Sequence, residues 1–194
     1  AEGYVRDPEL VINFYNERRK QLLDVEPNAG HIGLVELEKD FNVTVVTQNV
    51  DNLHERAGST RIIHLHGELT KVCSSRDPYN PRYVKELKPE EYEVKMGDKA
   101  GDGSQLRPFI VWFGEAVSEI ETAVDYVEKA DIFVIIGTSM NVYPAAGLLN
   151  YVPRTAEVYL IDPKPVDTHS MRQIHIIQKG ASEGVKELKK LLSV

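Results

Sequence analysis

Along most of this chain, short β-branched apolar runs alternate with longer stretches whose apolar residues recur every three or four positions. The runs read as buried strands and the periodic stretches as amphipathic helices. Asp7-Pro8-Glu9 is a helix start, an N-cap candidate followed by proline and an acid. That helix is expected to reach about Leu23, with Val11, Phe14, Tyr15, Arg18 and Leu22 on one face. Pro27-Asn28 caps a second helix through about Asp40, with apolar Ile32, Leu34, Val35 and Leu37. His31, in its first turn, reads as a structural hydrogen-bonder ahead of a ligand. Strands are expected at Val43 to Thr47 and Arg61 to Leu65, with a helical turn or two from Asn52 to Ala57 stopped by Gly58. Further strands are expected at Leu106 to Phe113, Ile132 to Ile136, Glu157 to Ile161 and Ile174 to Ile177. The helices between and after them run from about Ser118 to Glu128, Tyr143 to Leu149 and Glu183 to Leu192.

Alternation of this kind predicts an α/β fold, a Rossmann-like, mostly parallel sheet with helices on both faces. Residues 71–105 break it. Pro78, Pro81 and Pro89 punctuate them, charges and tyrosines dominate, and Gly101-Asp102-Gly103-Ser104 is a turn. The expected organisation is a catalytic domain from residues 1–70 and 106–194, with 71–105 as a small inserted lobe.

Bulk properties narrow the function. At 194 residues and 42% apolar composition, the chain can bury one sizeable core. With 23 basic against 30 acidic residues it lacks the excess positive charge of a nucleic-acid binder. Cys73 is the single cysteine, so neither an internal disulfide nor an all-cysteine zinc site can form. No apolar run is long enough to span a bilayer. The expectation is a cytoplasmic monomer with no membrane or nucleic-acid partner.

In an open α/β sheet, ligands sit at the carboxyl ends of strands. Gln48, Asn49 and Asp51 follow the Val43–Thr47 run directly, and the next strand delivers His66 followed by Gly67. Gly137-Thr138-Ser139 closes another strand, and glycine with small hydroxyls suits close approach of backbone to a phosphate or ribose. Many α/β loops share that pattern. Asp162-Pro163-Lys164 closes a further strand. Gln48 to Asp51, His66, Gly114, Gly137 to Ser139 and Asp162 are expected on one rim. Taken alone, His66 could equally be a hydrogen-bonded core histidine. Arg18 reads first as a snorkelling side chain, its stem on the core and its head in water; a Tyr15–Arg18 pair holding an anion is the alternative.

Thr47-Gln48-Asn49-Val50-Asp51, His64-Leu65-His66-Gly67, Val111-Trp112-Phe113-Gly114-Glu115 and Gly137-Thr138-Ser139, in this order and spacing, resemble the sirtuins, NAD-dependent protein-lysine deacylases. Pro27-Asn28-Ala29-Gly30-His31 is similar to a further family segment. The resemblance covers nearly the whole chain outside residues 71–105. It implies that NAD binds along the strand ends. Asn49 and Asp51 hold the nicotinamide carboxamide, Gln48 and Val50 lie beside them, and Gln48 contacts the ribose. Gly137, Thr138 and Ser139 line the phosphate and ribose end, while Asp162, Pro163, Lys164 and Ala181 contact the adenosine. The family usually has Asn where Asp162 stands. His66 is the implied general base, with Asn49 and Asp51 beside it in the catalytic set. The acyl-lysine amide oxygen attacks the ribose, nicotinamide leaves, and His66 takes the proton of the hydroxyl to which the acyl group passes. The implied products are free lysine and O-acyl-ADP-ribose. An imidazole titrates near neutrality, as such a base needs to.

Val111, Phe113, Gly114 and Glu115 are implied to bind the acylated peptide as an added strand. Tyr15-Asn16-Glu17-Arg18 is similar to the Tyr-x-x-Arg helix of sirtuins that remove succinyl or malonyl groups. There Arg18 would neutralise an acidic acyl end and the Tyr15 hydroxyl orient it. A charge-assisted contact of ~1.5–3 kcal/mol gives about one to two decades of preference over acetyl. The chain departs from the family twice. The opening strand, Gly-Ala-Gly turn and Phe-Arg loop have no counterpart ahead of Ala1, and the lobe that normally holds zinc with four cysteines has only Cys73. No metal is expected, and Cys73 reads as a small thiol. The competing readings are a binding module for NAD, ADP-ribose or an acyl-peptide without turnover, and a protein mono-ADP-ribosyltransferase.

Overall fold

The structure is a computed structural model, and it describes residues 1–137, 145–166 and 172–194. The described chain opens with α1 (Glu2–Arg6) and α2 (Pro8–Leu22), the second capped by Asp7, whose carboxylate accepts from the Leu10 amide at 3.1 Å. Then follows α3 (Ala29–Leu37). Its N-cap Asn28 accepts from the His31 amide, and the Asn28 amide donates to His31 Nδ1, both at 3.0 Å. His31 thereby closes a capping box in the place Glu or Gln usually takes. Next come β1 (Val45–Thr47), α4 (Leu53–Ala57), β2 (Ile62–His64) and β3 (Gly67–Ser74). After them stand β4 (Lys85–Glu86), β5 (Leu106–Ile110), α5 (Ile120–Val127) and β6 (Ile132–Ile136). The chain closes with α6 (Ala145–Leu148), β7 (Glu157–Ile161), β8 (Ile174–Ile177) and α7 (Ala181–Leu191). The expected start of α6 at Tyr143 lies outside the described residues.

The chain divides into two compact units. One holds residues 27–46, 53–63 and 118–194. Its sheet is parallel, in the order β6-β7-β8, with Ile136 opposite Ile161 and Ile161 opposite Ile177 at the carboxyl ends. Central β7 is buried from Val158 to Ile161, which is why it reads as a continuous apolar run. Leu37 of α3, Tyr159, Ile161 and Ile177 of the sheet, and Val185 and Leu188 of α7 form its core.

The other unit holds residues 1–26, 47–52 and 64–117. Its sheet is antiparallel, in the order β4-β3-β5. The run from Leu106 therefore ends at Ile110 rather than Phe113, and it pairs antiparallel with β3 instead of extending a parallel sheet. β3 continues through residue 71 to Ser74, where the sequence pattern shows no strand. Ile12, Val72 and Val94 form a buried cluster.

The buried face of α2 is also rotated from the expected one. Ile12, Asn16, Arg19 and Leu22 are buried, whereas Phe14 and Arg18 are exposed. Asn16 exchanges two hydrogen bonds with the Val94 backbone, at 2.8 and 2.9 Å. Arg19 donates to the Tyr92 carbonyl at 2.8 Å and to Asn16 Oδ1 at 2.6 Å. Polar side chains here satisfy backbone groups of residues 92–94, so hydropathy misses the face. Burial also pulls the Arg19 guanidinium down to about 10. Ser74 and Ser104 both donate to the Asp102 carboxylate, holding it down to about 2. Among the described residues no helix is long and apolar enough to cross a membrane.

Candidate functional site

In the first-described parallel unit, the implied adenosine and phosphate residues that fall in the described chain stand at the carboxyl edge of the sheet, where α/β proteins place ligands. Gly137 follows β6 with φ +63, and its amide donates to the Ile161 carbonyl at 3.0 Å. Among the described residues, a Cβ built there would meet nothing within 4 Å. Asp162 follows β7, and its Oδ1 accepts from the Lys164 amide at 2.8 Å, which folds the Asp162-Pro163-Lys164 turn. Pro163 and Lys164 are exposed. Ala181 opens α7, directly after Gly180 at the N-cap, and lies beside Gly30 of α3. Thr138 and Ser139 lie outside the described residues.

In the antiparallel unit, the segment after β1 is pinned by its backbone. The Asn49 amide donates to Thr47 Oγ1 at 3.0 Å, and the Leu69 amide to the Val50 carbonyl at 2.7 Å. Buried His64 sets its Nδ1 3.0 Å from the Asn49 carbonyl, with Nε2 3.8 Å from Glu68. Since backbone groups carry this anchoring, the Asn49 side chain stays exposed, and Gln48 and Asp51 are half-buried.

His66 follows β2, and its carbonyl accepts from the Val111 amide at 2.9 Å. Gly67 comes next with φ +89, and an added Cβ would stand 2.1 Å from the Phe109 carbonyl oxygen. Only glycine fits that close approach where β3 pairs with β5, Gly67 standing opposite Ile110. Half-burial pushes the His66 imidazole below its ordinary value. Its neutral, proton-accepting form therefore persists to lower pH than a free histidine's.

Val111 to Glu115 form a tight turn, with the Glu115 amide donating to the Trp112 carbonyl at 2.9 Å and Gly114 at φ +90. Gly114 thus follows an antiparallel strand, unlike the parallel strand ends among which the sequence pattern grouped it. Phe113 is fully exposed, at 102%. The Glu115 carboxylate is already engaged. Arg107 donates to both of its oxygens at 3.0 and 3.2 Å, and the Trp112 amide and Tyr79 hydroxyl donate at 2.7 and 2.9 Å. Burial alone would raise the Glu115 carboxyl; the donors from Arg107 and the Trp112 amide offset that and hold it below the usual range.

Tyr15 of α2 and Trp112 of this turn meet, with indole Nε1–H donating to Tyr15 Oη at 3.1 Å. Both line an apolar cavity of about 450 Å³, together with Tyr4, Val11 and Phe14. Arg18 is not among the lining residues; it is exposed, its guanidinium carbon 6.0 Å from the Phe14 ring centroid. The contacts that sequence reasoning passed over are those of Trp112, Arg107 and His64. The one readable signal was that Trp112 is the single tryptophan, carrying an N–H that needs an acceptor when covered.

Residues 1–144 match a family model described as the Sir2 family. A Bacteroides thetaiotaomicron protein named NAD-dependent protein deacylase is 84% identical over 191 residues, covering 98% of this chain and 82% of that protein. A Helicobacter pylori protein of the same name is 47% identical over 186 residues, covering 96% and 79%. Among solved structures, a Sir2 homolog–NAD complex superimposes with a TM-score of 0.83 at 33% identity, covering 99% of this chain and 76% of that one. A Sir2–p53 peptide–NAD+ complex gives 0.78 at 26% identity, covering 99% and 81%.

Proposed function

The chain belongs to the Sir2 family, and from that premise we infer that it is an NAD-dependent protein deacylase; within that activity we propose that it removes succinyl or malonyl groups from lysine in preference to acetyl. NAD supplies the ADP-ribose that accepts the acyl group and the nicotinamide that leaves. The residues present fit that co-substrate. Gly137 takes a positive φ at the end of β6, and among the described residues Asn52 Oδ1 is a buried acceptor with no hydrogen-bond partner, beside Asp51 in sequence. A carboxamide offers the donors such an acceptor lacks.

In this reading Asn49 and Asp51 hold the carboxamide, and Gln48 and Val50 lie along the ribose. Gly137, Thr138, Ser139, Asp162, Pro163, Lys164 and Ala181 hold the adenosine and phosphate end. His66, neutral through burial, accepts the hydroxyl proton at a ring nitrogen. Val111, Phe113 and Gly114 offer backbone to an extended peptide. Glu115, its carboxylate taken by Arg107 and Trp112, supports this role by fixing the turn rather than by touching the peptide. Residues 71–105 are a small lobe without a four-cysteine zinc site, held by the Asn16–Val94 and Ser74–Asp102 contacts, with Cys73 buried and its thiol pushed up to about 12. A cytoplasmic location goes with this reading, since an inert buried thiol needs no oxidising compartment.

The acidic-acyl part rests on one observation: Tyr15 lines the cavity, its hydroxyl oxygen accepting from the Trp112 indole, one helical turn before Arg18. The deacylase part is tested by nicotinamide release. With NAD, release is expected only when an acyl-lysine peptide is added, and His66→Ala is expected to slow it on the order of 100-fold or more. Release without loss of the acyl group would point instead to ADP-ribosyl transfer, and none at all to a binding module.

A further inference from the structure

We propose that Trp112 is the positioning residue for acyl specificity: its indole N–H fixes the direction of the Tyr15 phenolic proton, so that Tyr15 presents a donor to the acyl end of the substrate. This rests on the acidic-acyl reading of the same site. An indole nitrogen is a donor only, so across the 3.1 Å contact Tyr15 Oη must be the acceptor. A phenolic O–H lies in the plane of its ring and has two orientations there. With one side of the oxygen occupied by the indole N–H, the proton takes the other. Tyr15 is thereby committed as a donor, which suits a carboxylate and has nothing to meet on an acetyl methyl.

The indole is itself held before any substrate arrives. The Arg107 guanidinium carbon lies 3.8 Å from its ring centroid, and the Tyr4 ring lies 5.2 Å away. Arg107 is fixed in turn by both oxygens of Glu115, and Glu115 accepts the amide of Trp112 itself. The ring, its cationic neighbour and its backbone thus form a closed loop of contacts in which the N–H direction is set by the fold. Preorganisation of this kind lowers the ordering cost when a ligand binds. It also sharpens discrimination, because a polar group built to donate is left without a partner when the acyl group cannot accept.

The test is kinetic. Full-length protein, Trp112→Phe, Tyr15→Phe and the double variant are each assayed with NAD on succinyl-lysine and acetyl-lysine forms of one peptide. Phenylalanine keeps a ring beneath Arg107 and removes only the N–H donor and one fused ring. Trp112→Phe is expected to lower the succinyl-to-acetyl ratio of kcat/KM about tenfold, chiefly by raising KM for the succinyl peptide. Tyr15→Phe is expected to lower it at least as far, and the double variant no further than Tyr15→Phe alone. Equal losses on both peptides, or an undiminished effect of Trp112→Phe in the Tyr15→Phe background, would overturn the proposal while leaving the acidic-acyl reading intact. A Tyr15→Phe ratio equal to wild type would overturn both. A readout independent of any tryptophan substitution is available, since Trp112 is the single tryptophan. Tyr15→Phe is expected to shift its emission, and an unchanged spectrum contradicts the bond.

Discussion

His66 carries a pH signature that belongs to one residue. Burial lowers its pKa, so the native protein binds fewer protons there than the unfolded chain does. Stability from this group is complete above the unfolded value of about 6.5 and falls as pH drops through the lower folded value. If His66 is the proposed base, activity follows the same sign, because only the neutral ring accepts a proton. The acid limb of kcat/KM against pH is expected to have its midpoint below about 6.5. A midpoint above that value would contradict the assignment of His66 as base. Asn49, Asp51 and His66 could be proposed from the sequence because each polar side chain stands just beyond a β-branched run. The Trp112–Tyr15 bond was not, since it joins residues 97 apart in the chain. Arg18 and Arg19 illustrate the same limit. Adjacent and chemically alike, they differ in that Arg19 finds the Tyr92 carbonyl and Asn16, and nothing local announces either partner.

Among the elements, the packing of α3 and α7 depends on missing side chains. A Cβ on Gly184 would stand 2.2 Å from Ile161 Cγ2, and one on Gly33 would stand 2.6 Å from Val185 Cγ1. Both neighbours are β-branched and stiff, so neither can swing aside cheaply. Gly184→Ala gains up to about 1 kcal/mol of helix propensity but overpacks a filled core at about 1–3 kcal/mol. Overpacking is the larger effect, and a net loss on the order of 1 kcal/mol is expected, about 2–4 °C in melting temperature. An equal or higher melting temperature would show that α7 moves off the sheet without cost. The strands of the parallel sheet were readable to their ends because they are continuous apolar runs. β3 was not, because Glu68, Thr70 and Lys71 interrupt its buried Leu69, Val72 and Cys73, and part of the cover comes from Ile12, distant in sequence. The face of α2 was misread for a related reason: its buried residues include Asn16 and Arg19, which hydropathy assigns to solvent.

For the whole molecule, alternation of strand and helix predicts an α/β fold, and the structure holds it in the parallel unit with its flanking helices. Alternation could not reveal that a second unit is built on antiparallel pairing, because strand direction there follows from how residues 64–117 return on themselves. Family membership was legible from motifs, while the contact that orients Tyr15 and Trp112 needed the fold. On the proposal above, the protein is an NAD-dependent deacylase with a donor already aimed at an acidic acyl end. The most direct test is mass spectrometry of a succinyl-lysine and an acetyl-lysine peptide, each incubated with NAD and the full-length protein. Faster loss of succinyl, with the group recovered on ADP-ribose, is the expected result. Faster loss of acetyl would contradict the acidic-acyl site, and turnover of neither would contradict the enzyme itself.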